Sequence, residues 1–123
     1  MHPILAFGRW LFPLSFLLYV GLHFGKPETG AAFVPDWLPF PLAWNYATGV
    51  LILAFIVSCL IGKLDKLATV LMALYVFLMI LLVHLPRAGE NELEMVNAFR
   101  NVMVVGALLV YARYATRDAR FVP

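Results

Sequence analysis

The sequence predicts an all-α integral membrane protein, a bundle of four helices with both termini cytoplasmic. Three observations lead there. Apolar stretches run from Pro3 to His23, Leu42 to Ile61, Leu67 to Leu85 and Val96 to Tyr114. Each approaches the roughly 20 residues that a helix, rising about 1.5 Å per residue, needs to cross a hydrocarbon core of about 30 Å. Hydrophobic residues make up 63% of the 123-residue chain and charged residues 13%, against roughly 45–50% and about 25% in soluble domains. Segments such as Leu74 to Val83 also lack the polar stripe that a helix of a soluble bundle, the competing fold, would show. So short a chain makes one domain, residues 1–123, with spans at 3–24, 42–62, 66–85 and 92–115 and an outer loop at 25–41.

The first span is expected to be retained. A signal peptide would carry a basic stretch before its apolar run, whereas here Arg9 interrupts the run itself. Pro13 cannot donate to the carbonyl of residue 9 and should kink the helix there. Arg9 either snorkels to the cytoplasmic headgroups or binds an inner-leaflet lipid or a partner subunit. The outer loop holds Pro27, Pro35, Pro39 and Pro41 with Phe33, Trp37, Leu38 and Phe40, too apolar a set to wave in water. It should lie on the membrane surface with its rings at headgroup depth, as a lid over the helix ends or as an anchor setting their depth. Trp44 and Tyr46 fit either role.

Gly62 is placed to close the second helix in a left-handed conformation and Asp65 to cap the third, making those helices antiparallel neighbours. Pro86 should end the third helix just after His84. Asn91 and Glu94 have the spacing of an N-cap and an acidic N3, so the fourth helix should begin a turn before its apolar part. Arg9, Lys63, Lys66, Arg113, Arg117 and Arg120 share the side of the termini. The other two loops hold Lys26 and Arg87 with Glu28, Asp36, Glu90, Glu92 and Glu94, which places both termini in the cytoplasm and the acidic loops outside.

Chemistry should be sought among polar residues within the spans, each costly unless paired or hydrated. Cys59, the single cysteine, is a small packing residue with no disulfide partner in the chain. The remaining polar groups gather in one outer layer: His23, Asn45 and Thr48, His84, then Asn97, Arg100 and Asn101. Asn97, Arg100 and Asn101 share a helix face that Val104 and Leu108 continue, and Asn45, Thr48 and Gly49 repeat the pattern on the second helix. With those faces inward, the bundle has an outward-opening polar pocket rimmed by the two histidines.

Such a pocket has three uses. Arg100 and the histidines can hydrogen-bond the head of a quinone or a lipid whose tail lies between helices. His23 and His84 can ligate a metal or haem, although no third ligand, HxxxH pair or haem-attachment motif accompanies them, and no metal is assigned. The third use is structural, with interhelical hydrogen bonds fixing the packing at about 0.6 kcal/mol each.

The segments Gly21-Leu-His-Phe24, Val34-Pro-Asp-Trp-Leu-Pro39, Trp44-Asn-Tyr-Ala-Thr-Gly49, Val83-His-Leu-Pro-Arg87 and Gly106-Ala-Leu-Leu109, with the asparagines at 97 and 101, resemble the DoxX family of small four-helix membrane proteins. The resemblance covers nearly the whole chain. It implies a bacterial or archaeal inner-membrane protein and, by analogy, a quinone-linked setting. Many DoxX sequences carry a glutamate shortly after the Thr-Gly pair, where this chain has Val50, Leu51, Ile52 and Leu53.

Two functions follow as expectations. The first is a non-catalytic accessory subunit of a larger respiratory or redox membrane complex, packing through small residues such as Gly49, Ala54, Gly106 and Ala107. The second is a lipophilic-ligand or quinone-binding protein centred on the outer layer. Expected partners are membrane lipids and other membrane subunits or further copies of the chain, with no nucleic acid. An enzyme is the less expected outcome, and transport less still, because the inverted repeat and broken helix pairs of secondary transporters are not visible.

Overall fold

The computed structural model describes residues 3–123, and among them all regular structure is helical. The elements are α1 (Pro3–Leu14), α2 (Leu17–Gly25), α3 (Pro27–Ala31), α4 (Pro41–Ile61), α5 (Asp65–Met79), a π-helical turn (Ile80–His84), α6 (Leu85–Arg87) and α7 (Glu92–Tyr114). Joined end to end they form four helices long and apolar enough to cross a membrane, Pro3–Gly25, Pro41–Ile61, Asp65–Arg87 and Glu92–Tyr114. The loops after α3 and α6 share one end of the molecule, here the loop end. The tight turn at Gly62 to Leu64 and the C-terminal tail share the other, the turn end.

α4 packs between α2 and α5, and α5 packs along α7. Phe16, Ile52, Phe55, Ile56, Met72, Val76, Leu108 and Tyr111 form the core. The first rod enters it through aromatic rings: Phe16 meets Phe55 edge-on at 5.0 Å, and Phe12 lies 5.2 Å from Tyr111. Its other large side chains, Ile4, Leu5, Phe7 and Leu11, are exposed.

The first helix is not one continuous rod. α1 ends at Leu14 and α2 begins at Leu17, with Ser15 folding its hydroxyl back onto the Phe12 carbonyl. Proline 13 has no N–H for the Arg9 carbonyl. The Tyr111 hydroxyl takes that place, donating to the Arg9 oxygen at 2.8 Å. Tyr111→Phe should therefore strand a carbonyl and cost about 1 kcal/mol in mixed-micelle unfolding. A loss within error of zero would show that water serves as well.

Two expectations about the third helix are corrected. Leu64, in a left-handed conformation at φ 58, precedes the helix, and Asp65 is its first residue rather than its cap. The Asp65 carboxylate instead collects the backbone amides of Lys66 at 2.9 Å, Arg117 at 2.8 Å and Asp118 at 2.9 Å. Pro86 does not end the helix, which continues through Arg87. A proline ring displaces the carbonyl four residues back, here Leu82, which lies inside the widened π turn.

The turn end is fastened by the tail. Gly62 closes α4 at φ 71, a left-handed conformation that favours glycine, and a Cβ there would have to push the Arg117 guanidinium aside. That guanidinium donates to the Cys59 and Leu60 carbonyls at 3.1 and 3.3 Å, in the last turn of α4, where carbonyls lack helical partners. It also sits 5.6 Å over the Trp10 ring. Asp118 accepts from the Leu64 amide at 2.7 Å and from Arg120 at 2.8 Å. The Arg120 side chain, with the Leu64 amide behind it, holds the Asp118 carboxyl well below the usual carboxylate range.

Candidate functional site

A buried histidine–carboxylate pair lies at the loop end. His84 closes the π turn, and its Nδ1 lies 2.9 Å from Oε2 of Glu94 in the first turn of α7. The two residues are 9% and 8% exposed. Local sequence sets this up. Asn91 caps α7, its side-chain oxygen accepting from the Leu93 amide at 2.8 Å, which puts Glu94 at N3. The helix N-terminus favours a carboxylate there. Glu94 turns inward to the histidine instead of completing a capping box.

A carboxylate only accepts, so the proton of this bond sits on Nδ1, and Nε2 with the second carboxylate oxygen, Oε1, is left for other partners. Neither Nε2 of His84 nor Oε1 of Glu94 is hydrogen-bonded among the described residues. They are not sealed in either: Asn45 Oδ1 is the one enclosed side-chain polar atom left without a partner there. The Phe33 ring tilts over His84 at 6.2 Å. The Arg87 guanidinium sits over the Phe33 ring, 5.8 Å from its centroid, and donates to the Ala32 carbonyl at 3.3 Å. The long loop thus covers the histidine with Phe33 while Trp37 and Phe40 stay exposed.

The rest of the expected layer divides. His23 keeps Nδ1 on its own helix, 2.6 Å from the Tyr19 carbonyl, and its backbone oxygen accepts from Asn45 Nδ2 at 2.8 Å. Asn45 is 2% exposed, and its Oδ1 presses on Gly30 so closely that any Cβ there would overlap it. This asparagine ties α4 to α2 and α3. Thr48 bonds the Trp44 carbonyl of its own helix at 2.9 Å.

Arg100 faces outward. Its Nη2 donates to Asn97 Oδ1 at 2.7 Å, in a shallow recess among Met95, Val96, Phe99 and Met103. The inward face of α7 carries Glu94, Ala98, Leu108, Tyr111 and Ala112. Arg100 follows Ala98 by two residues, or about 200° around the helix. Asn97 and Asn101, both half-buried, lie at the edge of the inward face. The single inward pocket expected from the sequence is therefore replaced by separate contacts: Asn45 on the His23 carbonyl and His84 with Glu94 within, Arg100 with Asn97 on the flank. Glu94 was legible in the sequence only as a helix cap.

These features define a four-helix protein of membrane-spanning dimensions whose buried polar pair, His84 with Glu94, sits at its loop end. The chain belongs to the family described as Domain of unknown function (DUF8561), whose model matches residues 13–114. No curated protein and no solved structure matches it. The matched region contains His84, Glu94 and Asp65, while Arg117 and Asp118 fall beyond it.

Proposed function

We propose that the chain is a multi-pass inner-membrane protein with both termini cytoplasmic, serving as a non-catalytic accessory subunit of a larger respiratory or redox complex. Basic residues at the turn end and acidic ones at the loop end support the orientation. The observation that carries the subunit reading is Arg100. It lies about 12 Å along α7 from the helix start, on an exposed flank among apolar side chains. An unpaired charge in a bilayer costs about 2.5–3.5 kcal/mol by insertion scales, and Asn97 satisfies only part of the guanidinium. An acidic or carbonyl group on a neighbouring subunit supplies the rest. The resemblance to DoxX sequences supports the redox setting by analogy alone.

Native mass spectrometry from mild detergent should show a defined larger assembly, and Arg100→Leu should dissociate it while leaving helicity intact. An assembly unchanged by that substitution would overturn the role given to Arg100, and a lone monomer would overturn the subunit reading.

The His84–Glu94 pair favours a second reading, a lipophilic ligand, a quinone or lipid, held at the loop end. Support comes from its two unbonded, accessible polar atoms, placed near the end of Asp65–Arg87 where headgroups lie. Solvent extraction of the purified chain should then yield a bound lipophile in stoichiometric amount.

A further inference from the structure

The atoms that the loop-end pair leaves open decide what kind of head group it can hold. The Nδ1 proton of His84 is engaged by Glu94 Oε2 at 2.9 Å. Of the two remaining polar atoms, Oε1 only accepts, while Nε2 accepts on a neutral ring and donates on a charged one. The cation nearest in sequence, Arg87, is turned away onto the Phe33 ring and the Ala32 carbonyl. Arg100, expected from the sequence to donate to a ligand carbonyl, lies on the opposite flank of α7. His23 has its Nδ1 committed to Tyr19. No arginine joins the pair, and Oε1 stands open as an acceptor beside Nε2.

We infer that His84 and Glu94 form a binding site for an uncharged lipophile whose head carries a hydroxyl group, the O–H donating to His84 Nε2 or Glu94 Oε1. This rests on the ligand-binding reading above and narrows it. A phosphate head would bring negative charge against the Glu94 carboxylate. A head with carbonyls alone has no proton to give Oε1 and would leave that acceptor unpaired. A hydroxyl supplies the missing proton, and Phe33 beside the imidazole offers an apolar surface to the ring or chain that bears it. The site's depth fits as well. His84 is three residues from the end of its helix, about 5 Å along the axis, where a lipophile's head meets water.

The test uses the full chain in lipid nanodiscs and two probes alike in size and apolarity, 4-octylphenol and its methyl ether 4-octylanisole. Titration calorimetry should show saturable binding of the phenol at least about tenfold tighter than of the ether. His84→Phe should bring that ratio close to one. Glu94→Gln, which keeps an acceptor for Nδ1 but removes the charge, should lower it several-fold at unchanged helicity, and it guards against misfolding of the phenylalanine variant. Equal saturable binding of both probes by the wild-type protein would overturn the hydroxyl preference and leave the ligand reading standing. No saturable binding of either probe overturns both. A ratio unchanged in both variants would place the acceptor elsewhere and overturn the assignment to this pair.

Discussion

Asp65→Ala should destabilise the protein by about 3–5 kcal/mol and release its C-terminal tail. Asp65 is 2% exposed, and its carboxylate receives three amides, two of them from Arg117 and Asp118 in the tail. Hydrogen bonds to a charged group contribute about 1.5–3 kcal/mol each, and donors left without an acceptor add to the loss. α5 itself should persist, because the Thr69 hydroxyl bonds the Asp65 backbone oxygen rather than its side chain. The loss falls on docking: the tail takes with it the guanidinium that caps the end of α4. Amide exchange at Arg117 and Asp118 should accelerate strongly, and unchanged exchange there would refute the account. Asp65→Asn, with one acceptor in place of two, should lie between. The Asp118 part of this fastening has a depressed folded-state pKa, so its contribution is complete above the unfolded value of about 3.9 and is lost as pH falls below it. Acidification from pH 7 to about 5 should leave it intact.

Breaking the loop-end pair should produce the second large effect, and it has a distinctive signature. Glu94→Leu leaves the Nδ1 proton of a mostly buried His84 without an acceptor, and His84→Phe leaves a mostly buried carboxylate without its donor. Removing one member of such a pair costs about 3 kcal/mol, because the other stays desolvated and unpaired. Replacing both by apolar residues removes the stranded group as well. The double variant should therefore recover most of the stability lost by either single one, so that the coupling in a double-mutant cycle exceeds about 3 kcal/mol. Additive losses would mean that the two residues do not act as a unit.

The long apolar runs made the four helices readable, as did the residues that punctuate them. Gly62 adopts the left-handed closing conformation, and Asn91 caps α7. Rotation about each helix axis was not readable, and for the same reason that the helices were conspicuous. A helix apolar all round carries no stripe to say which face turns inward. Arg100 shares a face with Asn97 and Asn101 by spacing, yet packing sets that face at the edge of the interior, with Arg100 beyond it. The same uncertainty hid Glu94, whose partner depends on how α7 sits against the π turn. Pro13 announced a lost hydrogen bond, but its replacement comes from Tyr111, at the far end of the sequence. Asp65 looked like a cap because the sequence shows the amides beside it and not those the tail brings.

The tail's grip on Gly62, Leu64 and Asp65 has a mechanical consequence. With one end of α4, α5 and α7 pinned together, relative motion of these helices becomes rotation about that end. Displacement then grows with distance from the pivot. Over a rod of about 30 Å, a tilt of about 5° moves the far end by about 2–3 Å. That distance is comparable to the 2.9 Å bond between His84 and Glu94. A small angular change anywhere along the bundle would open or close that one contact before it disturbed anything nearer the pivot.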